Sequence, residues 1–280
     1  MLLPRLPIGG TVRGDALTAT QPDPPAVKLA LRVTGLRVTY GPVVAVDGID
    51  LEVREGEIYG LLGPNGAGKT SALSAIEGLL RPAAGDIVIG KIDARVHPLQ
   101  AKAELGVQLQ ATSFHLSLTL VEIVRLYAGL YGDALSSPHI RELLGEINLQ
   151  NEASKRFREL SGGQQQRFSL LIATVHDPAL VLLDEPTAGL DPQGRRQLWD
   201  RIERFRKEGR SILLTTHSME EAQAVCDRVA IMDHGKILTV GTPAALIAAH
   251  RDDPKVRQAA HGEVTLEDVF IALTGRELRD

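Results

Sequence analysis

Cysteine is nearly absent from this 280-residue chain: Cys226 is the single one, which excludes an internal disulfide and a zinc cluster built on cysteines. An excess of charge of one sign is lacking as well. Lys and Arg number 31 against 35 Asp and Glu, a net charge of −4, and no polybasic run points to nucleic acid or a lipid surface. No stretch approaches the ~20 apolar residues that span a bilayer. Two early prolines, Pro4 and Pro7, and the lack of an apolar h-region argue against a secretory signal, so a soluble cytoplasmic protein is expected. What is present is ordinary for a globular protein, 44% apolar and 24% charged, in a chain long enough for one large α/β domain or two small ones.

Residues 1–27 contain five prolines (Pro4, Pro7, Pro22, Pro24, Pro25) and no periodic apolar pattern, which predicts a flexible tail outside the fold. From Leu29 the apolar residues alternate (Leu29, Leu31, Val33), and they do so again at Leu51 and Val53 after a turn expected at Asp47-Gly48, as antiparallel strands require. Residues 57–62 read as a short apolar strand and 70–80 as a helix, with a glycine-rich turn between. Residues 86–89 and 105–109 read as strands, and about 111–176 as helical. Within that segment Ile123, Leu126, Tyr127 and Leu130 follow i, i+3, i+4, i+7 and predict one apolar stripe. Strands return at 180–183, 211–214 and 228–231, separated by helices at 192–207 and 219–226. Late alternation of strand and helix predicts an α/β fold with a mostly parallel sheet flanked by helices. Residues 243–280 form a short C-terminal helical extension, with Thr265 as N-cap before Leu266, Val269, Phe270 and Leu273.

Three patterns carry chemistry. Gly63-Pro64-Asn65-Gly66-Ala67-Gly68-Lys69-Thr70 satisfies G-x-x-x-x-G-K-[ST] between a strand and a helix. Its glycines let backbone N–H groups converge on an anion, Lys69 can reach β- and γ-phosphates, and the Thr70 hydroxyl can ligate Mg²⁺. The strand at 180–183 ends in Asp184-Glu185. Side-chain alternation along a strand separates the two acids, so Asp184 suits the Mg²⁺ shell and Glu185 the polarisation of an attacking water. Leu160-Ser161-Gly162-Gly163-Gln164 opens a helix with Ser161 and Gln164 in capping-box spacing.

Leu-Ser-Gly-Gly-Gln between a P-loop and such a strand resembles the ATP-binding cassette (ABC) ATPases, over about residues 29–242. The resemblance implies a P-loop NTPase domain at 28–242 with an antiparallel β subdomain at its start and a helical subdomain inserted between Gln110 and the signature. It also implies that ATP contacts Tyr40, by stacking on adenine, and Gly63, Pro64, Asn65, Gly66, Ala67, Gly68, Lys69, Thr70 and Ser71. Ser161, Gly162, Gly163 and Gln164 of a second copy would cap the γ-phosphate, with Asp191 in the loop Ala188-Gly189-Leu190-Asp191. Gln110, favoured by the family's spacing over Gln108, would contact Mg²⁺ and water beside Thr70 and Asp184. Lys69, Glu185, Gln110 and His217 would be the catalytic set. Asp191-Pro192 also makes sense as an N-cap followed by proline, and Ser218 to Glu221 has capping-box spacing. The other histidines singled out (His97, His115, His139, His176) lack metal-ligand spacing.

A GTPase is excluded because no guanine-binding N-K-x-D is present. A soluble ABC ATPase acting on a nucleic acid or a ribosome is the alternative, although neither a coiled-coil insertion nor a second cassette is visible. A single cassette without membrane helices resembles the nucleotide-binding subunit of a transporter, and Thr265 to Gly275 resembles the end of bacterial multidrug and daunorubicin-type export cassettes. The implied partners are separately encoded integral membrane permease subunits and a second cassette, identical or paralogous, with no nucleic acid. The implied location is the inner face of the cell membrane. The segment 111–131, including Leu116 and Leu118, is expected to meet the membrane subunits.

Overall fold

The computed structural model describes residues 27–108, 114–115, 117–260 and 262–275. The proline-rich tail up to residue 26, Gln110 and Leu116 lie outside them. β1 (Leu29–Tyr40) and β2 (Val43–Arg54) form a long antiparallel hairpin. Its turn is Gly41-Pro42 and not Asp47-Gly48. Gly48, at φ 71°, is taken up as an extra residue within β2, since Leu36 faces Ile49 while Arg37 faces Asp47. A glycine at positive φ is therefore a bulge here, which bends a strand without ending it.

β3 (Ile58–Leu62) is buried along its whole length and runs through the glycine-rich loop into α1 (Lys69–Ile76). β4 (Ala84–Ile89) and β5 (Ile92–Asp93) complete an antiparallel sheet ordered β2-β1-β4-β5. After α2 (Pro98–Ala103) comes β6 (Leu105–Gln108). A helical lobe follows: α3 (Leu120–Leu130), α4 (Ser137–Glu146), two short 3₁₀ turns and α5 (Gly162–Thr174). The chain then alternates β7 (Leu180–Asp184), α6 (Pro192–Lys207), β8 (Ser211–Thr216), α7 (Met219–Val225) and β9 (Arg228–Asp233), before β10 (Lys236–Gly241) and the helices α8 (Pro243–His250), α9 (Pro254–Ala259) and α10 (Leu266–Thr274). The second sheet is ordered β10-β9-β3-β8-β7-β6, parallel except for β10.

Apolar side chains of the antiparallel sheet, α1 and one face of the parallel sheet form one core. The opposite face of that sheet is covered by α6, α7 and α10. The helical lobe has a third core of its own, built on Leu120, Ile123, Phe157 and Phe168. The expected stripe on α3 is met in part: Tyr127 is partly buried and packs on this core, its ring 5.6 Å from that of Phe114. Ile123 is buried, but Leu126 and Leu130 are 48% and 71% exposed, and the inward face is Leu120, Ile123, Val124 and Ala128. In the C-terminal extension Leu266, Val269 and Phe270 are fully buried in the same cluster as Met219 and Ala222 of α7, and the Leu266 N–H donates to Gln223 Oε1 at 3.1 Å. No helix among the described residues is long and apolar enough to cross a membrane.

Candidate nucleotide site

Ligands of open parallel sheets gather at the carboxyl ends of the strands. In this fold the loops after β3, β7 and β8 meet there. α1 begins at Lys69 with Gly68 as an N-cap that offers no side-chain acceptor, so the first N–H groups of α1 and the positive end of its dipole stay available to an anion. Glycine is required at two points of this loop. Gly68 sits at φ 107°, where a Cβ would lie 2.3 Å from the Ala45 carbonyl oxygen, and a Cβ at Gly63 would lie 2.3 Å from that of Met232. Lys69 Nζ donates to the carbonyls of Gly63 at 2.7 Å and Pro64 at 3.2 Å, bridging the loop. Burial holds this ammonium below the ordinary lysine range, opposed by the carboxylates of Glu185 and Asp184. Such a cation needs anionic partners to stay charged.

A cavity of about 410 Å³ opens at this loop, lined by Asn65 to Ser71, Val43, Val44, Ala45, Glu185, His234 and Gly235. Tyr40 stands at its edge, its hydroxyl 3.4 Å from Ser71 Oγ and its ring half exposed. The exposed Val43 and Val44 add an apolar wall that the sequence reading missed; two adjacent valines just past a Gly-Pro turn were the available signal. A larger cavity, about 560 Å³, lies among Ala244, Ile247, Arg251, Arg257 and Val264 of the C-terminal extension and contains none of the motif residues.

The two acids diverge for a different reason than strand alternation. β7 ends at Asp184, and Glu185 takes a left-handed backbone at φ 46°, a conformation costing about 1–3 kcal/mol for a residue with a Cβ. Thr215 holds it there. The Thr215 hydroxyl, fully buried on β8, donates to Asp184 Oδ1 at 2.5 Å and accepts from the Glu185 N–H at 3.0 Å. Asp184 Oδ2 in turn accepts from the Thr70 hydroxyl at 3.4 Å, and Glu185 Oε2 lies 3.4 Å from His217 Nδ1. P-loop, strand-end acids and the histidine after β8 are thus one connected site. Thr215 is its unforeseen member; two adjacent threonines closing the apolar run Ile212–Leu214 were the available sign.

The facing Thr70 hydroxyl and Asp184 carboxylate are hard oxygen donors, a set that fits Mg²⁺. No cluster of three or more His, Cys, Asp or Glu that could hold a metal ion occurs among the described residues, and Mg²⁺ bound with a polyphosphate needs only one or two protein oxygens. Gln108 is buried at the end of β6, and its Oε1 has no hydrogen-bond partner among the described residues. Gln110 lies outside the described residues.

Ser161, Gly162, Gly163 and Gln164 begin α5, with the reciprocal capping box in place (Ser161 N–H to Gln164 Oε1 at 2.9 Å, Gln164 N–H to Ser161 Oγ at 3.4 Å). None of them lines the P-loop cavity. Asp191 caps α6, accepting from the Gly194 N–H at 2.6 Å, and does not line it either. Ser218 caps α7, but the expected reciprocal half is not made, because the Glu221 carboxylate turns to Thr187 instead.

A family profile described as ABC transporter matches residues 46–188. The Nod factor export ATP-binding protein I of Cupriavidus metallidurans is 34% identical over an alignment 301 positions long that takes in 89% of this chain and 99% of that protein. A solved structure of an ATP-binding subunit of an ABC transporter superposes with a TM-score of 0.77 at 28% identity, covering 87% of this chain and 99% of that one. A dimeric bacterial ABC transporter cassette shares the fold at a TM-score of 0.69 and 24% identity, covering 76% of this chain and 98% of that one. On its motif geometry, its fold and these relatives, the chain belongs to the ABC transporter family, as an ATP-binding and ATP-hydrolysing subunit.

Proposed function

We propose that this subunit hydrolyses ATP with Glu185 as the group that polarises the attacking water, and that it works as one of two cassettes driving separate membrane subunits in bacterial export. The observation that carries the chemistry is Glu185 itself, lining the P-loop cavity on a left-handed backbone beside His217. A carboxylate so placed can take the proton of a water attacking the γ-phosphorus. His217 orients that carboxylate and can donate to the γ-phosphate. Lys69 and the N–H groups at the start of α1 hold the phosphates, while Tyr40, Val43 and Val44 offer the adenine an apolar face. Thr70 and Asp184 would hold Mg²⁺, which when bound supplies positive charge against the charge developing on the phosphoryl oxygens. Gln110 completes this set in the resemblance.

Pairing is supported by the signature residues. Ser161 and Gly162 are exposed at the N-terminus of α5 and lie outside the P-loop cavity of their own chain, so a second cassette is what would bring such a helix end to the γ-phosphate. The export names of the relatives favour transport over a soluble role on nucleic acid or ribosome. The subunit would then sit at the inner face of the membrane through its partners, with the segment 111–131 as the contact.

Glu185→Gln keeps the side-chain size and removes the base. It should still bind ATP, lose turnover by about 10²- to 10⁴-fold, and accumulate a Mg²⁺-ATP-dependent dimer in size-exclusion chromatography. Lys69→Ala should bind poorly and stay monomeric. Substantial hydrolysis by the Gln variant would remove Glu185 from the role.

A further inference from the structure

Glu221 lies on α7, four residues past His217, and its side chain is only 11% exposed. Had it closed the capping box with Ser218, it would serve α7 alone. Instead its Oε2 accepts from the buried Thr187 hydroxyl at 2.7 Å, and its Oε1 lies 3.7 Å from Arg195 Nη1. Those two partners flank the loop that ends in Asp191. Thr187 follows Glu185 by two residues, and Ala188 N–H donates to the Glu185 carbonyl at 3.1 Å. Arg195, in the first turn of α6, also donates from Nε to the Leu190 carbonyl at 3.2 Å. One carboxylate therefore ties residues on either side of the loop 188–191 to the helix that follows His217.

We propose that Glu221 is a positioning residue for hydrolysis: through Thr187 and Arg195 it makes Glu185, Asp191 and His217 move as one unit. This rests on the reading of Glu185 as base. Neither the P-loop nor the cavity lining includes Glu221 or Thr187, so the link acts on the water side of the site and leaves nucleotide holding to Lys69 and α1. Asp191 is the exposed member of this unit, the one that a second cassette would meet in the proposed pairing.

The test uses the full chain with Glu221→Ala, Thr187→Val, Thr187→Ser and the double variant Thr187→Val/Glu221→Ala. Steady-state ATPase kinetics are read beside the affinity for a fluorescent ATP analogue with Mg²⁺. Expected are losses in kcat of about tenfold or more for Glu221→Ala and Thr187→Val, with KM and analogue affinity changed by less than about twofold. Thr187→Ser, which keeps the hydroxyl, should restore turnover. The double variant should be no worse than the poorer single, as for two halves of one interaction. Full turnover in Thr187→Val, losses that multiply in the double variant, or a fall in analogue affinity matching the fall in kcat would each overturn the proposal. Should Glu221→Ala not fold, Thr187→Val and Thr187→Ser decide alone. Glu185→Gln run in parallel separates the two readings: if it loses turnover while Thr187→Val does not, only the role of Glu221 fails.

Discussion

Burial shifts the ionisable groups at the two ends of helix α1 in opposite directions. Lys69 is pulled below the lysine range by desolvation yet faces Glu185 and Asp184, which restore part of its charge. Glu77 stands at the other end, as the C-cap of α1. Burial first, then the negative charge of Asp184, push its carboxyl from an ordinary 4.5 to about 7. Below that value the folded chain binds a proton that the unfolded chain releases down to about 4.5, so this group favours the fold as pH falls through 7 and opposes it above. Glu77→Gln cannot ionise. It is expected to raise stability at pH 8 by about 1–2 kcal/mol, after allowance for solvent screening of a part-exposed group, and to change it little at pH 5. Thermal melts at the two pH values check this; an equal shift at both, or a loss at pH 8, would show that the charge is not the cause.

Helix α3 shows how a correct element can be read with only half of its inward face: Ile123 and Tyr127 pack, Leu126 and Leu130 do not. Its existence was legible from apolar spacing, and the structure adds a full capping box of Thr119 and Glu122 at its start. Its phase was legible only in part, because Leu126 and Leu130 are as apolar as the residues that pack, and periodicity cannot tell a core side chain from one left for a partner. The structure separates them by exposure. Ile123→Ala should cost about 2–5 kcal/mol through the cavity it leaves, whereas Leu130→Ala should stay within about 0.5 kcal/mol. Urea unfolding of the isolated subunit measures both. A cysteine placed at Leu126 should also cross-link to a copurifying membrane subunit without interference from the buried Cys226; linkage found only from other faces of the cassette would withdraw this helix from the contact.

At the scale of the whole molecule, the C-terminal extension is continuous with the core that backs the site. Phe270 is fully buried in one cluster with Met219 and Ala222 of α7, the helix that follows His217. Phe270→Ala should therefore lower stability by about 3–5 kcal/mol and reduce turnover with it, readable as parallel losses in melting temperature and ATPase rate. A variant of native stability would show that α10 is an appendage. Sequence alone marked the helix by its N-cap and spacing, but not what it covers, since its apolar face matches any apolar surface.

The chain itself determined the parts of the site that are contiguous. Residues 63–71 form a tight loop in which glycine alone fits two of the backbone positions, and the capping boxes of α3, α5 and α10 close within four residues of chain. The α/β architecture was equally legible, since alternating apolar strands and amphipathic helices leave few ways to bury their faces. What only the tertiary structure decided lies between segments far apart in the chain. Thr215 sets both Asp184 and Glu185 from about thirty residues away, and Glu221 reaches Thr187 across thirty-four. A hydrogen bond across such separations depends on parallel strands being laid side by side. That register is a property of the packed sheet as a whole and leaves no local periodicity to read.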